Sequence, residues 1–210
     1  MSPKQQRGEA TVDLLLTTAL RVYAESGQQG FTVNAIVAAS GVSLGSLYHH
    51  FGSFDGLAAA LYIRCMDQLC DDMVASLTRC RTARTGIRTW VASYLRFTRE
   101  NRDIALFLHA SAYSGYLVAH AEEIGAAKAA KFAAITDWLR VRVERGEIAA
   151  LPAPVIEVLV MGPVTEVARR WLSSTYEIDL AEVTRLLPDL IWRSLRPDQD
   201  GAEPRSRTTA

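Results

Sequence analysis

Long apolar runs are missing from this sequence. No stretch approaches the roughly 20 uncharged apolar residues that a membrane-spanning helix needs, and Met1 to Ala10 is polar with no signal-peptide core, so a cytoplasmic protein with no membrane association is expected. Cysteine is scarce: Cys65, Cys70 and Cys80 are an odd number at spacings that match neither a zinc nor a redox pattern, and they read as small buried apolar residues. Histidine adds no ligand set, since His109 and His120 are far apart in sequence and form no HxxxH pair, and no metal or cofactor is expected. No phosphate loop, dinucleotide fingerprint or paired-carboxylate arrangement stands out. Net charge is lacking as well, with 23 basic residues against 23 acidic ones. Within residues 1–56, Lys4, Arg7 and Arg21 face Glu9, Asp13, Glu25 and Asp55, a balance that gives little long-range pull on a polyanion.

What the sequence does have is apolar residues at helical spacing. At 210 residues and 49% apolar composition the chain can bury a sizeable core. Val12, Leu16, Ala19, Leu20 and Tyr23 recur with helical period as far as Gly27 and Gly30, which predicts a first helix over about 10–26. Thr32 can cap a short helix to about Ser40, Gly41 breaks it, and Ser43 can cap another to about His50. Ser53 then caps a long helix that Leu57, Leu61, Met66, Leu69 and Met73 carry toward Leu77. Further helices are predicted near 84–100, 103–115, 118–145, 154–174 and 179–195, with Pro163 and Pro188 as bends. No run in residues 1–80 alternates like a strand. The expected fold is all-α with about nine helices. It comprises a disordered leader over 1–9, a three-helix unit over 10–56, a larger helical domain over 57–196 and a disordered tail over 197–210.

The segment FTVNAIVAASGVSLGSLYHHFGSFDGLAAAL, Phe31 to Leu61, has a physical logic. Ile36, Val37, Val42, Leu47 and Phe51 can form one small core around a turn that Gly41 permits. That packing pushes Ser43, Leu44, Gly45, Ser46, Tyr48 and His49 outward on a helix narrow enough for a DNA major groove, with small and polar residues at its N-terminal end. Here the sequence resembles the TetR family of bacterial regulators: GVSLGSLYHHF followed by a Ser-capped helix looks like that family's recognition helix and its successor. The resemblance is strongest over about 10–62, and VLVMGPVTEVARRWL looks like a family dimerisation helix. It implies a homodimer that binds a palindromic double-stranded operator as a helix-turn-helix repressor and is released by a small-molecule effector. Thr32, Ser43, Leu44, Gly45, Ser46, Tyr48 and His49 would contact DNA, Tyr48 on phosphate and Leu44 and Gly45 toward bases. Phe54 stands where the family usually has a lysine, Val37 where it has a small alanine, and Asn34 where a basic residue is common. Each lost phosphate contact should flatten the salt dependence by about one unit.

Downstream, Arg79, Arg81, Arg84, Arg88, Arg96, Arg99 and Arg102 face only Glu100, which reads either as a solvated face or as a source of attraction to DNA, while Lys4 and Arg7 could reach a minor groove as a flexible arm. Aromatic residues concentrate between 87 and 176, and Trp90, Tyr94, Phe107, His109, Tyr113, Trp138 and Trp171 are the candidate walls and polar tips of a cavity for a mostly apolar molecule. Val160, Val164, Val167 and Trp171, with Val183, Leu187 and Ile191 on the last helix, are candidates for a four-helix dimer interface. Two other readings compete. Gly41 to Gly45 satisfies the GxSxG pattern of a hydrolase, but that motif needs a strand before the serine and the preceding residues read as helix, so no enzyme is expected. A helical small-molecule carrier with weak or lost DNA binding would suit the near-neutral N-terminal unit.

Overall fold

The computed structural model describes residues 2–111, 114–174 and 177–197; the expected tail lies, from residue 198, outside them. Every regular element among the described residues is helical: α1 (Pro3–Gly30), α2 (Val33–Ser40), α3 (Leu44–Phe51), α4 (Phe54–Thr78), α5 (Ala83–Glu100), α6 (Arg102–Ser111), α7 (Gly115–Ala119), α8 (Ala121–Glu144), α9 (Ala153–Ser173) and α10 (Leu180–Leu195).

Two expectations about these elements change. Residues 3–9 are not a disordered leader but the first turns of α1: the Ser2 side chain accepts from the Gln5 amide and Pro3 sits where its missing N–H costs nothing. The flexible basic arm proposed for Lys4 and Arg7 is therefore helical backbone. The second change is the short α7, which the reading of 118–145 as one helix had merged with its neighbour; α8 starts only at Ala121. The predicted stop near residue 26 is real, because Gly27 takes φ 62° and ψ −166°, a conformation that interrupts α1 before its last turn.

The head is built from α1, α2 and α3. Thr32 and Ser43 cap α2 and α3 by accepting from Ala35 and Ser46 amides at 3.3 and 3.2 Å, and Gly41 makes the left-handed turn between them at φ 69°. Ile36 and Leu47 are fully buried, with Val37, Val42 and Phe51 packed around them. Ser53 caps α4 through the Gly56 amide at 2.9 Å. A side chain at Gly56 would stand 2.1 Å from the Phe51 carbonyl oxygen, so only glycine lets α3 and α4 meet this closely.

α4, 25 residues and about 37 Å long at 1.5 Å per residue, carries the head into the body. α5 returns antiparallel to it, with Arg96 paired to Asp72, Trp90 against Met73 and Gly86 against Leu77. This helix is the centre of the body, covered by α4, α6, α9 and α10. Arg84 and Arg88 clip α5 to α10 through Asp189 at 3.4 and 2.5 Å. Head and body share one continuous apolar core. At their junction Phe107 of α6 lies 5.0 Å from Tyr23 and 5.9 Å from Phe31, ring centre to ring centre, and Phe31 lies 5.2 Å from Phe54. Phe54 thus faces inward, and its hydrophobic character follows from that cluster rather than from a solvent-facing role.

Candidate nucleic-acid interface and internal cavity

The outward face of α3 is open. Leu44 is 43% and Tyr48 40% exposed although both are large and partly apolar, and Ser43, Gly45 and His49 are exposed beside them, with Ser46 half-buried. A Cβ at Gly45 would meet nothing within 4 Å. Thr32, exposed at the start of α2, and Ser53, at the start of α4, bring two more helix N-termini to the head, where uncommitted amides favour anions. Ser43, the serine of the GxSxG pattern, follows a helix and a turn, and its hydroxyl accepts the capping amide of Ser46.

Two arginines near this face are committed to local ion pairs. Arg64 is bound to Asp13 at 3.0 Å and to the Thr17 hydroxyl at 3.1 Å, and Arg21 pairs with Glu25 at 3.5 Å. The arginine-rich stretch does not compensate. Arg84, Arg88 and Arg96 are paired with acids of neighbouring helices, Arg99 with Glu100, and Arg102 donates to the Leu172 carbonyl and lies 6.0 Å from the Trp171 ring. Arg79 and Arg81 sit beyond the far end of α4, several screening lengths of about 8–10 Å from the head.

Inside the body, α4, α5, α6, α8 and α9 enclose an open cavity of about 520 Å³. Tyr62, Leu69, Met73, Trp90, Tyr94 and Phe97 form its buried wall; Met66, Phe132 and Met161 add half-buried apolar surface. One polar pair interrupts this surface: the Tyr94 hydroxyl and His109 Nε2 are 3.1 Å apart. Burial raises the Tyr94 pKa, and burial first and Arg169 second lower that of His109, so both are neutral near pH 7. Glu157, Glu166 and Arg169 line the cavity too. Arg169 donates to Glu166 through Nε at 2.8 Å and a terminal nitrogen at 2.7 Å, and together with Arg170 it holds the Glu166 carboxyl at about 2.

Of the expected cavity residues, Trp90, Tyr94 and His109 line it. Phe107 is instead the fully buried link to the head, and Trp138 is core, stacked under Arg142 at 4.1 Å and against Gly86. Trp171 lies under Arg102, away from the cavity, and Tyr113 falls outside the described residues. The expected partner-facing set divides similarly. Val160, Val164 and Ile191 are buried within the chain against its own helices, and Val167, Trp171, Val183 and Leu187 are half-buried. The apolar side chains of α9 and α10 left to solvent are Val155, Val158, Leu186 and Leu190, with Val158 at 68% and Leu190 at 54% exposure. Helical period announced two broad faces but could not say which one α5 would cover.

Fold and site together define a helix-turn-helix head on a helical body with an internal cavity. Residues 15–61 match the sequence model of bacterial regulatory proteins of the tetR family. About nine-tenths of the chain superimposes on the fold of solved TetR-family transcription regulators. A regulator from Marinobacter aquaeolei VT8 shares 22% identity at a TM-score of 0.74, over 91% of this chain and 98% of that one. FadR, a fatty acid degradation regulator from Bacillus halodurans, shares 18% at 0.72 over 88% and 99%. FadR from Bacillus subtilis, solved in complex with stearoyl-CoA, shares 18% at 0.72 over 85% and 96%. No curated protein gives a match. No helix among the described residues is long and apolar enough to cross a membrane.

Proposed function

We propose that this chain is a homodimeric transcription regulator, most simply a repressor, that reads a two-fold symmetric operator through paired α3 helices and yields to a small, mostly apolar effector. The observation that carries this reading is the open face of α3, where Leu44, Gly45, Tyr48 and His49 stand uncovered while Leu47 and Ile36 fix the helix from behind. A face of this width fits a major groove, with hydroxyls and capped N-termini for phosphate and a small-residue start for close approach.

The second copy would seat on Val155, Val158, Leu186 and Leu190, giving a four-helix interface of two α9 and two α10 helices. Two recognition helices related by that axis would enter successive major grooves about 34–36 Å apart. The effector reading rests on the cavity. α4 both walls it and begins two residues after α3, and α6, another wall, holds α1 and Phe31 through Phe107. An effector that favours one setting of α4 and α6 therefore biases the spacing of the two heads, with coupling of about 1–3 kcal/mol typical of such linkage. The stearoyl-CoA complex of the Bacillus subtilis protein supports a small-molecule effector in this fold.

The test is selection of bound fragments from random DNA by the purified protein. Enrichment of a two-fold symmetric sequence is expected. No enrichment at low salt would favour a helical carrier whose head serves only as packing.

A further inference from the structure

Resting on the effector reading above, we propose that the buried portion of the ligand is uncharged and presents a single hydroxyl or carbonyl to the Tyr94–His109 pair: an apolar alcohol, phenol or ketone rather than a carboxylate or an ammonium ion.

Charge and reach limit what this cavity can hold. A buried ionic group needs a partner of opposite sign, since desolvation is otherwise uncompensated. Among the described residues the one basic side chain lining this cavity besides the neutral His109 is Arg169, which is exposed and holds Glu166 through two hydrogen bonds. Lys128 lies behind the wall, its ammonium 4.9 Å from the Tyr62 ring centre and 3.2 Å from the Tyr62 hydroxyl. A carboxylate driven to the wall would thus have to break an existing ion pair or displace Tyr62. An ammonium ion fares no better inside: Glu166 is bound by Arg169 and Arg170, and Glu157 is exposed in water.

The uncharged polar groups of the lining already have partners, the Tyr62 hydroxyl accepting from Lys128. The Thr98 hydroxyl donates to the Tyr94 carbonyl at 2.9 Å, the Thr165 hydroxyl to the Met161 carbonyl at 2.8 Å, and the Trp90 indole N–H points at the Met73 sulfur at 3.3 Å. Tyr94 and His109 differ from these. Their mutual contact uses one donor and one acceptor, and either ring can turn that capacity to a guest: a phenolic O–H donates to a carbonyl, an imidazole nitrogen accepts from a hydroxyl. Around them stand aromatic and thioether surfaces, which gain contact from a polarizable apolar body without asking for further polar partners.

The experiment titrates the full-length protein with four probes that share one ring: pyrene, 1-pyrenemethanol, 1-pyrenecarboxylate and 1-pyrenemethylammonium, read by energy transfer from tryptophan. The expected order places 1-pyrenemethanol at least tenfold tighter than either charged probe. In Tyr94→Phe, 1-pyrenemethanol should weaken about fivefold while pyrene itself is unchanged, a split that a merely structural role for Tyr94 does not produce. Tighter binding of the carboxylate or the ammonium overturns the proposal. Binding of all four with equal affinity overturns it but leaves the cavity as an effector site. Failure of even pyrene to bind overturns the effector reading along with it.

Discussion

Replacing Gly45 by alanine should move folding and DNA binding in opposite directions. An added Cβ meets no atom of the chain within 4 Å, so it introduces no strain. Alanine is favoured over glycine in a helix by about 0.5–1 kcal/mol, and at the second residue of α3 a gain near the lower end is expected. The same open space is where DNA would lie. A methyl there holds the helix away from base edges that a bare backbone can approach, and one lost or misplaced base contact costs about 1–3 kcal/mol, or roughly five- to 150-fold in affinity. Urea denaturation reads the first effect and fluorescence anisotropy on a selected operator the second. A variant that is more stable and binds DNA as tightly as the parent would remove Gly45 from the interface and with it the proposed orientation of α3.

Other outcomes follow from the same geometry. Tyr48→Phe removes one exposed hydroxyl assigned to phosphate and should weaken binding to all DNA sequences alike by about 1 kcal/mol, whereas Ser46→Ala should change preference among operators; anisotropy on several duplexes separates the two. Gly86→Ala would put a methyl 2.1 Å from the Trp138 ring, so crowding of about 1–3 kcal/mol should exceed the gain in helix propensity. At Gly125, where a Cβ meets nothing, the same change should stabilise, and a matching loss at both sites in denaturant melts would contradict this packing. His109 has a lowered pKa in the folded chain, so the unfolded chain takes up its proton first. Stability is then unaffected well above pH 6.5 and falls as pH drops from about 6.5 toward the folded value, a slope that His109→Gln should reduce in melts between pH 7.5 and 5.

The head was legible in the sequence because its signals are local. A capping hydroxyl at Thr32, Ser43 or Ser53 acts on an amide three residues away, and Gly41 meets a backbone requirement at its own position. The cavity was not legible to the same degree. Met66, Leu69 and Met73 were visible only as helix-spaced apolar residues on α4, Tyr62 was not singled out at all, and their facing Trp90, Phe132 and Met161 depends on the rotations of other helices. Phe107 and Trp138 are as aromatic as Trp90 but go to a junction and to a helix contact. A similar ambiguity divides the apolar residues of α9 and α10, since Val160 and Val158 are both apolar and only the position of α5 decides which is covered within the chain. The polar run before residue 10 resembled a loose leader because polar helix starts and loose segments share composition; Ser2 followed by Pro3 was the available signal.

The most direct test of the account places a carboxylate on the open face of α3. Leu44→Glu lies at an exposed site where stability should change by no more than about 0.5 kcal/mol. An anisotropy titration of the selected operator should show binding lost, beyond 100-fold, in a protein whose melting curve matches the parent. Retained affinity in that folded variant would contradict the claim that α3 reads DNA.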